Sequence, residues 1–244
     1  MSDFDRNYTA ARGFGADRAV AIDAGLRAHM IRVYNYMTGG VALTGVVAWL
    51  TYQYTLSNPE FARTLFGSPL VFVVMLAPLA LVFFLSFRIG HLQASTARLL
   101  FFAYAGLLGI SLATIFMVYT HASITRVFFI TAASFGALSL WGYTTQRRLD
   151  GMGSFMIMGL FGIIIASLVN IFLHSSGLDW AISIIGVVVF AGLTAWDTQK
   201  IKEFYDPMDD GTVAGRKAVM GALALYLDFI NMFLFLLRLF GDRR

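Results

Sequence analysis

Seven long apolar stretches constrain this chain more than any other feature of its sequence. They cover approximately residues 33–52, 69–87, 99–119, 127–143, 155–173, 180–200 and 219–237. A helix needs about 20 predominantly apolar residues to cross the hydrocarbon core of a bilayer, and a helix satisfies its own backbone hydrogen bonds in lipid. The sequence therefore predicts an all-α integral membrane protein with seven transmembrane helices.

Composition supports the membrane class and excludes several others. Of the 244 residues, 58% are hydrophobic and only 13% are charged, which is too little polar surface for a soluble domain of this length. The chain has no cysteine, so disulfides and thiolate metal sites are excluded. The net charge of +4 is spread over short segments between the apolar stretches, so we expect no nucleic-acid partner. We also expect no enzymatic activity and no cofactor.

The distribution of lysine and arginine predicts the topology. Basic residues concentrate before the first span, after the second and fourth spans, and between the sixth and seventh spans. The positive-inside rule then places the N-terminus in the cytoplasm. We predict a cytoplasmic tail over residues 1–32, a transmembrane domain over 33–240 and a C-terminal tail over 241–244. A re-entrant last segment would return that tail to the cytoplasm, but 219–237 is long enough to cross.

Asp197 and Asp228 are the only ionisable acids at membrane depth. Asp228 lies near the middle of the last span, and Asp197 lies near the cytoplasmic end of the sixth. A charged aspartate at the centre of a bilayer costs about 2.5–3.5 kcal/mol, so each acid should face the bundle interior, be protonated or have a partner. Asn231 shares a helix face with Asp228 and can donate a hydrogen bond to it. Lys200, one turn after Asp197, is a candidate ion-pair partner.

The topology brings both acids into the same half of the membrane, but their depths differ. Asp197 lies three residues from Lys200, whereas Asp228 lies eleven residues from Lys217. At about 1.5 Å per residue the difference in depth is about 12 Å. It closes if the sixth helix is buried past Lys200 or if the seventh begins outside the lipid.

If the two carboxyl groups meet, both cannot be charged in a low dielectric. The pair then shares one proton and titrates as a unit, which makes it a pH sensor. Arg88, at the cytoplasmic end of the second span, either supplies a countercharge to the pair or anchors that span at the membrane surface. The alternative role for each acid is structural: Asp228 as a neutral hydrogen-bonding group between helices, and Asp197 as an interfacial carboxylate.

Other functional motifs fit the sequence poorly. The acid of the last span follows Leu225-Tyr226-Leu227 and not the Gly-x-Gly-Asp pattern of intramembrane aspartyl proteases. The acidic segment 206–211 could begin a calcium-binding EF-hand loop of twelve residues. Such a loop needs an oxygen ligand at its third position and a glutamate at its twelfth, but here these positions are Met208 and Lys217. We interpret this segment as a solvated turn between spans.

Three segments resemble the Bax inhibitor-1 family. They are FAGLTAWDTQKI at 190–201, ALYLDFIN at 224–231, and RVY at 32–34 before a glycine-rich first span. The resemblance extends from about residue 27 to the end of the chain. It implies six helices packed around a central C-terminal helix, and a pH-sensitive calcium leak. It further implies that Asp197 and Asp228 form the regulatory pair and contact calcium transiently, with Arg88 as the arginine of the second span.

The same resemblance leaves a second function open. Bacterial members also resemble modulators of a membrane-bound AAA protease, so the chain is alternatively a regulatory binding protein. The expected partners are therefore the lipid bilayer and the calcium ion, and on the alternative reading a membrane protease. The resemblance implies location in a bacterial inner membrane.

Overall fold

The computed structural model describes residues 3–244, with side chains from residue 22 onward. Over these residues the chain folds into nine α-helices, and the only strand-like pairing is an isolated bridge between Tyr119 and Arg243. A 3-10 turn, Ile89–His91, follows the third helix. The helices are α1 (Asp3–Ser57), α2 (Pro59–Phe66), α3 (Leu70–Arg88), α4 (Ala94–Leu112), α5 (Ile115–Val118), α6 (His121–Thr144), α7 (Asp150–Leu173), α8 (Ser176–Glu203) and α9 (Gly211–Phe240).

Six stretches of the described chain are long and apolar enough to cross a membrane. They are Leu70–His91, Ala94–Val118, His121–Thr144, Asp150–Leu173, Ser176–Glu203 and Gly211–Phe240. The predicted spans are thus confirmed for six helices. The first predicted span, 33–52, lies within α1, whose polar residues Asn35 and Thr38 dilute its apolar character. It stays a prediction.

The segment before that span is also helical, because α1 continues without a break through residue 32. The predicted boundary between the tail and the membrane domain, at residues 32 and 33, therefore lies inside a continuous helix. The side chains of residues 3–21 lie outside the described part of the structure.

Local sequence signals explain where several helices begin. Asp210 caps α9: its Oδ1 accepts hydrogen bonds from the backbone N–H of Thr212 and Val213 at 2.8 and 2.7 Å. Ser175 caps α8 in the same way through Leu178. Such caps satisfy the free N–H groups of a first helical turn, so the polar connections fix the helix ends.

Two helices begin with residue types that are also common in turns. Pro59 does not continue a loop but occupies the first turn of α2, where its missing N–H costs nothing. Asp150 and Gly151 form the first turn of α7, where an acid interacts favourably with the positive end of the helix dipole. Both residue types break helix interiors but are accepted at helix starts.

The last helix is the most buried of the six. In its apolar stretch 67% of the residues are buried, against 6% in that of α7. It packs against α1, α4, α6 and α8, while α3 packs mainly on α4 and α7 mainly on α8. Small residues allow the helices to approach closely. A side chain at Gly186 of α8, for example, would overlap the ring of Phe235 of α9.

The last helix also runs the full length of the bundle. It is an uninterrupted helix of 30 residues, about 45 Å long. We call the end of the bundle that contains Gly211 the Gly211 end, and the opposite end the Phe240 end. At the Phe240 end Asp242 forms an ion pair with Arg126 at 3.0 Å, and the backbone N–H of Arg244 donates to Val118. This course does not agree with a re-entrant last segment.

Candidate functional site

Asp197 of α8 and Asp228 of α9 lie side by side. Asp228 is only 3% exposed, and its carboxyl group lies close to that of Asp197. The Oδ2 atom of Asp228 is buried and has no hydrogen-bond partner among the described residues. Two facing carboxyl groups with a buried, unpartnered oxygen can hold a proton between them.

The register of α8 and α9 explains how the predicted difference in depth closes. The helices are antiparallel neighbours, and Gly221 packs directly against Ile201. Residues 211–218 of α9 therefore extend beyond the last turn of α8 at Glu203. The last helix thus begins at Gly211, eight residues before the apolar stretch predicted at 219–237. An early start of this helix was one of the two arrangements that we expected to bring the acids to the same depth.

A cavity of about 520 Å³ opens beside Asp197 at the Gly211 end. Most of its wall is apolar, formed by residues such as Ile201, Leu223 and Leu227. Three cationic side chains also line it, together with a histidine, and the four come from three different parts of the chain: Lys200, Arg216, Lys217 and His29. The approach to the acid pair therefore carries a positive potential.

Lys200 lies near Asp197 but does not pair with it. Its Nζ atom lies over the ring of Trp196, 4.5 Å from the centroid, and 5.5 Å from that of Phe204. It forms no ion pair within 4.0 Å with any acid that the structure describes. A cation held by aromatic faces keeps its charge near Asp197 without neutralising it.

Arg216 and Lys217 are held by local contacts at the mouth of the cavity. Arg216 donates to the backbone carbonyl groups of Gly90 and Leu92, so it fixes the turn after α3. Lys217 forms an ion pair with Asp209. Neither residue was marked as part of the site by its sequence context. The partners of Arg216 lie far away in sequence, and that of Lys217 lies in the acidic segment that we interpreted as a turn.

His29 completes the basic lining at the Gly211 end. It is buried, and its ring centroid lies 5.7 Å from that of Tyr205. Burial lowers the pKa of His29 from its ordinary value of 6.5, and the positive charges of Arg32 and Lys217 lower it further. No sequence pattern marked this histidine.

Two predicted site residues form no hydrogen bond or ion pair with either acid among the described residues. Arg88 is exposed, does not line the cavity, and forms no hydrogen bond or ion pair with the side chains that the structure describes. The amide of Asn231 donates to the backbone carbonyl of Leu227 at 2.8 Å and not to Asp228. The backbone acceptor one turn earlier is the nearest one for a short polar side chain in a helix. The support expected from Asn231 stays a prediction.

The acidic segment between α8 and α9 is used locally. Asp206 accepts a hydrogen bond from the N–H of Met208 at 2.9 Å, Asp209 pairs with Lys217, and Asp210 caps α9. Among the described residues no group of three or more His, Cys, Asp or Glu side chains could hold a metal ion. Transient calcium contact at the acid pair stays a prediction.

A chain of hydroxyl groups joins α1, α6 and α8. Tyr34 of α1 hydrogen-bonds Ser139 of α6, and Ser139 hydrogen-bonds Thr198 of α8 at 2.9 Å. Thr198 directly follows Asp197. Three hydroxyl side chains in separate apolar stretches were visible in the sequence, but nothing there showed that they meet.

Comparison with known proteins agrees with this architecture. The family described as Inhibitor of apoptosis-promoting Bax1 matches residues 26–244. A protein of Rickettsia prowazekii (strain Madrid E) is 50% identical over 100% of both chains. The inner membrane protein YbhL of Escherichia coli (strain K12) is 47% identical over 94% of this chain and 97% of its own length.

A protein of Caulobacter vibrioides is also similar, at 42% identity over 100% of both chains. The match to the family covers both acid-bearing segments and all six long apolar stretches. This chain is therefore a multi-pass membrane protein and belongs to the Bax inhibitor-1 family.

Proposed function

We propose that this protein is a passive calcium leak of a bacterial inner membrane, gated by a proton that Asp197 and Asp228 share. One observation carries the proposal: a buried carboxyl group faces a second carboxyl group that borders a cavity at one end of the bundle. A purely structural aspartate would have its oxygens satisfied by hydrogen-bond donors, and Oδ2 of Asp228 is not satisfied by any described residue.

The physical basis of the gate is the number of protons on the pair. With one shared proton the two carboxyl groups attract each other and hold α8 against α9. With none they repel each other, because two close negative charges in a low dielectric cannot be screened. A change of pH therefore changes how the last two helices pack.

The basic lining of the cavity supports a closed state for the present arrangement. Lys200 and Arg216 border the approach to Asp197, so a divalent cation is repelled from it. An opening motion must move these charges away or expose more of the acids. Calcium is assigned through the family resemblance, and carboxylate oxygens suit it chemically.

The membrane arrangement belongs to the same proposal. We infer that residues 33–52 form the seventh span, that the N-terminus is cytoplasmic, and that α9 is the central helix of the bundle. The burial of α9 and its packing against four other helices support its central position. The proposal needs no catalytic residue and no cofactor.

Calcium flux into liposomes tests the leak and the gate separately. We expect the purified protein to admit calcium at a rate that depends on pH, and the D197N/D228N variant to admit it at a rate that does not. D150N is the matched control, since Asp150 is an exposed acid paired with Arg148. No flux at any pH would rule out the leak, and an unchanged pH profile in the double variant would rule out the gate.

A second candidate function is the binding and modulation of a membrane-bound AAA protease. What favours it is the family resemblance together with α1, which begins about 30 residues before the first predicted span. Deletion of residues 1–25 should abolish co-purification of a protease and leave calcium flux unchanged. If a protease co-purifies equally with the truncated chain, the N-terminal segment is not the binding element.

A further inference from the structure

A long apolar cleft lies between α1 and α6. It consists of two cavities, of about 600 and 290 Å³, that share the lining residues Val41, Phe128 and Phe229. The larger cavity reaches Arg27 at the Gly211 end, and the smaller one reaches Ala48 towards the Phe240 end. Because they share three residues, the two cavities form one continuous depression, which we call the α1–α6 cleft.

The cleft matches the membrane in length and in direction. From Arg27 to Ala48 is 21 residues, or about 32 Å along α1, close to the thickness of the hydrocarbon core of about 30 Å. The rim residues Ile31 and Leu140 are 49% and 63% exposed, so the cleft opens to the outer surface of the bundle. At this depth the neighbouring solvent is lipid acyl chain.

One end of the cleft is basic. Arg27 lines it, is exposed, and forms no ion pair with any residue that the structure describes. Lys202 does not line the cleft itself but contacts its lining residue Tyr143: it donates to the Tyr143 carbonyl at 2.9 Å, and its Nζ lies 5.2 Å from the ring centroid. A basic pocket between membrane helices is a typical site for an anionic lipid headgroup, and a guanidinium binds phosphate through paired hydrogen bonds.

We propose that the α1–α6 cleft binds one anionic phospholipid, with its phosphate group on Arg27 and one acyl chain along the cleft. The apolar wall accounts for the chain, and the two cations at the Gly211 end account for the charge of the headgroup. The site lies on the side of the bundle formed by α1 and α6, and its lining shares no residue with that of the basic cavity beside Asp197. The lipid proposal therefore does not rest on the proposed leak.

Two glycines in the cleft allow it to be filled without disturbing the packing. A side chain added at Gly136 or at Gly45 would meet no atom within 4 Å, and each glycine lines one of the two cavities. Gly162, on the exposed surface of α7, has the same free space but lines neither of the two cavities. G136L and G45L therefore fill the cleft, and G162L is the matched control.

Native mass spectrometry of the intact protein measures the effect directly. The purified chain is mixed with phosphatidylglycerol or with phosphatidylcholine, and the lipid that stays bound is counted. We expect one phosphatidylglycerol per chain in the parent and in G162L, and at least a tenfold loss in G136L or G45L. R27Q should lose about tenfold in its preference for phosphatidylglycerol, which corresponds to one charge-assisted contact.

Each outcome decides the proposal. Equal retention of both lipids by the parent overturns the headgroup assignment, and undiminished retention by well-folded G136L and G45L overturns the cleft. A parent dimer that dissociates in G136L shows a second copy of the chain in the cleft and overturns the lipid. If both filling variants unfold at lower temperature than G162L, R27Q decides alone, because Arg27 is exposed and its substitution leaves the core intact.

Discussion

The hydroxyl group of Tyr226 meets that of Thr44 with 2.5 Å between the two oxygens. Tyr226 precedes Asp228 by two residues, so the two side chains point in directions about 200° apart around α9. Thr44 also lies 2.9 Å from the carbonyl oxygen of Ala105. On the side opposite Asp228 the last helix is thus tied directly to α1 through Thr44, and Thr44 in turn is hydrogen-bonded to α4.

Substitutions at this contact should have unequal effects. Y226F removes one hydrogen bond and leaves Thr44 able to donate to a backbone carbonyl, so it should lower the free energy of unfolding by about 1 kcal/mol. T44V leaves the fully buried hydroxyl of Tyr226 without a partner, which costs about 1–3 kcal/mol. Thermal unfolding in detergent measures both. The double variant should lose less than the sum, and strict additivity would show that the two hydroxyls act independently.

A side chain at Gly142 should separate α6 from α8. A Cβ atom there would overlap the backbone carbonyl of Ala195, which cannot move without shifting its helix. G142A should therefore cost about 1–3 kcal/mol of stability through overpacking. G162A is the control, because alanine at that open position should be neutral or slightly stabilising. Equal thermal midpoints for the two variants would contradict the close approach.

Gln199 should hold the connection between α6 and α7. Its Oε1 accepts from the N–H of Leu149 at 2.8 Å, and its Nε2 donates to the carbonyl of Arg147 at 2.9 Å. Q199L removes both bonds, each worth about 1 kcal/mol, so the amides of residues 145–150 should exchange hydrogen faster. Q199E keeps the acceptor and loses the donor, so it should exchange at an intermediate rate. Uniform exchange in all three proteins would show that the loop is fixed by other contacts.

The sequence predicted most of the helices because lipid imposes one rule on them. Long apolar stretches in a bilayer must satisfy their own backbone groups, so six of them could be located from length and polarity alone. The short helix α2 was missed because Pro59 and its neighbours suit a turn as well as a helix start. The first span was harder, since Asn35 and Thr38 lie within it.

The acid pair was visible in the sequence for a similar reason. Asp228 interrupts an apolar stretch, and an ionisable group inside the membrane is costly unless it faces the bundle interior or has a partner. The basic lining was not visible, because contacts such as that of Arg216 with Gly90 join residues 126 positions apart. Arg88 was chosen by its position at the end of a span, but the turn after α3 places Gly90 and not Arg88 at the cavity.

His29 should make the stability of the protein sensitive to mild acid. It packs on Tyr205 at the Gly211 end, and the charged groups that act on it are Arg32, Lys217 and, in the opposite direction, Asp209. Because burial lowers the pKa of His29 in the folded chain, the unfolded chain binds a proton more readily. This histidine therefore has no effect above its unfolded pKa of 6.5, and it destabilises the fold as the pH falls below that value.

Replacement by glutamine removes this proton and should reduce the pH dependence. Between pH 7.5 and pH 5.5 the thermal midpoint of the parent should fall further than that of H29Q, and comparing the two cancels the contributions of all other groups. H91Q, which replaces an exposed histidine of the turn after α3, should respond to pH as the parent does. A parallel response of parent and H29Q would mean that His29 gains its proton as easily in the folded chain as in the unfolded one. The burial of His29 and the charges of Arg32 and Lys217 would then have no energetic effect on it.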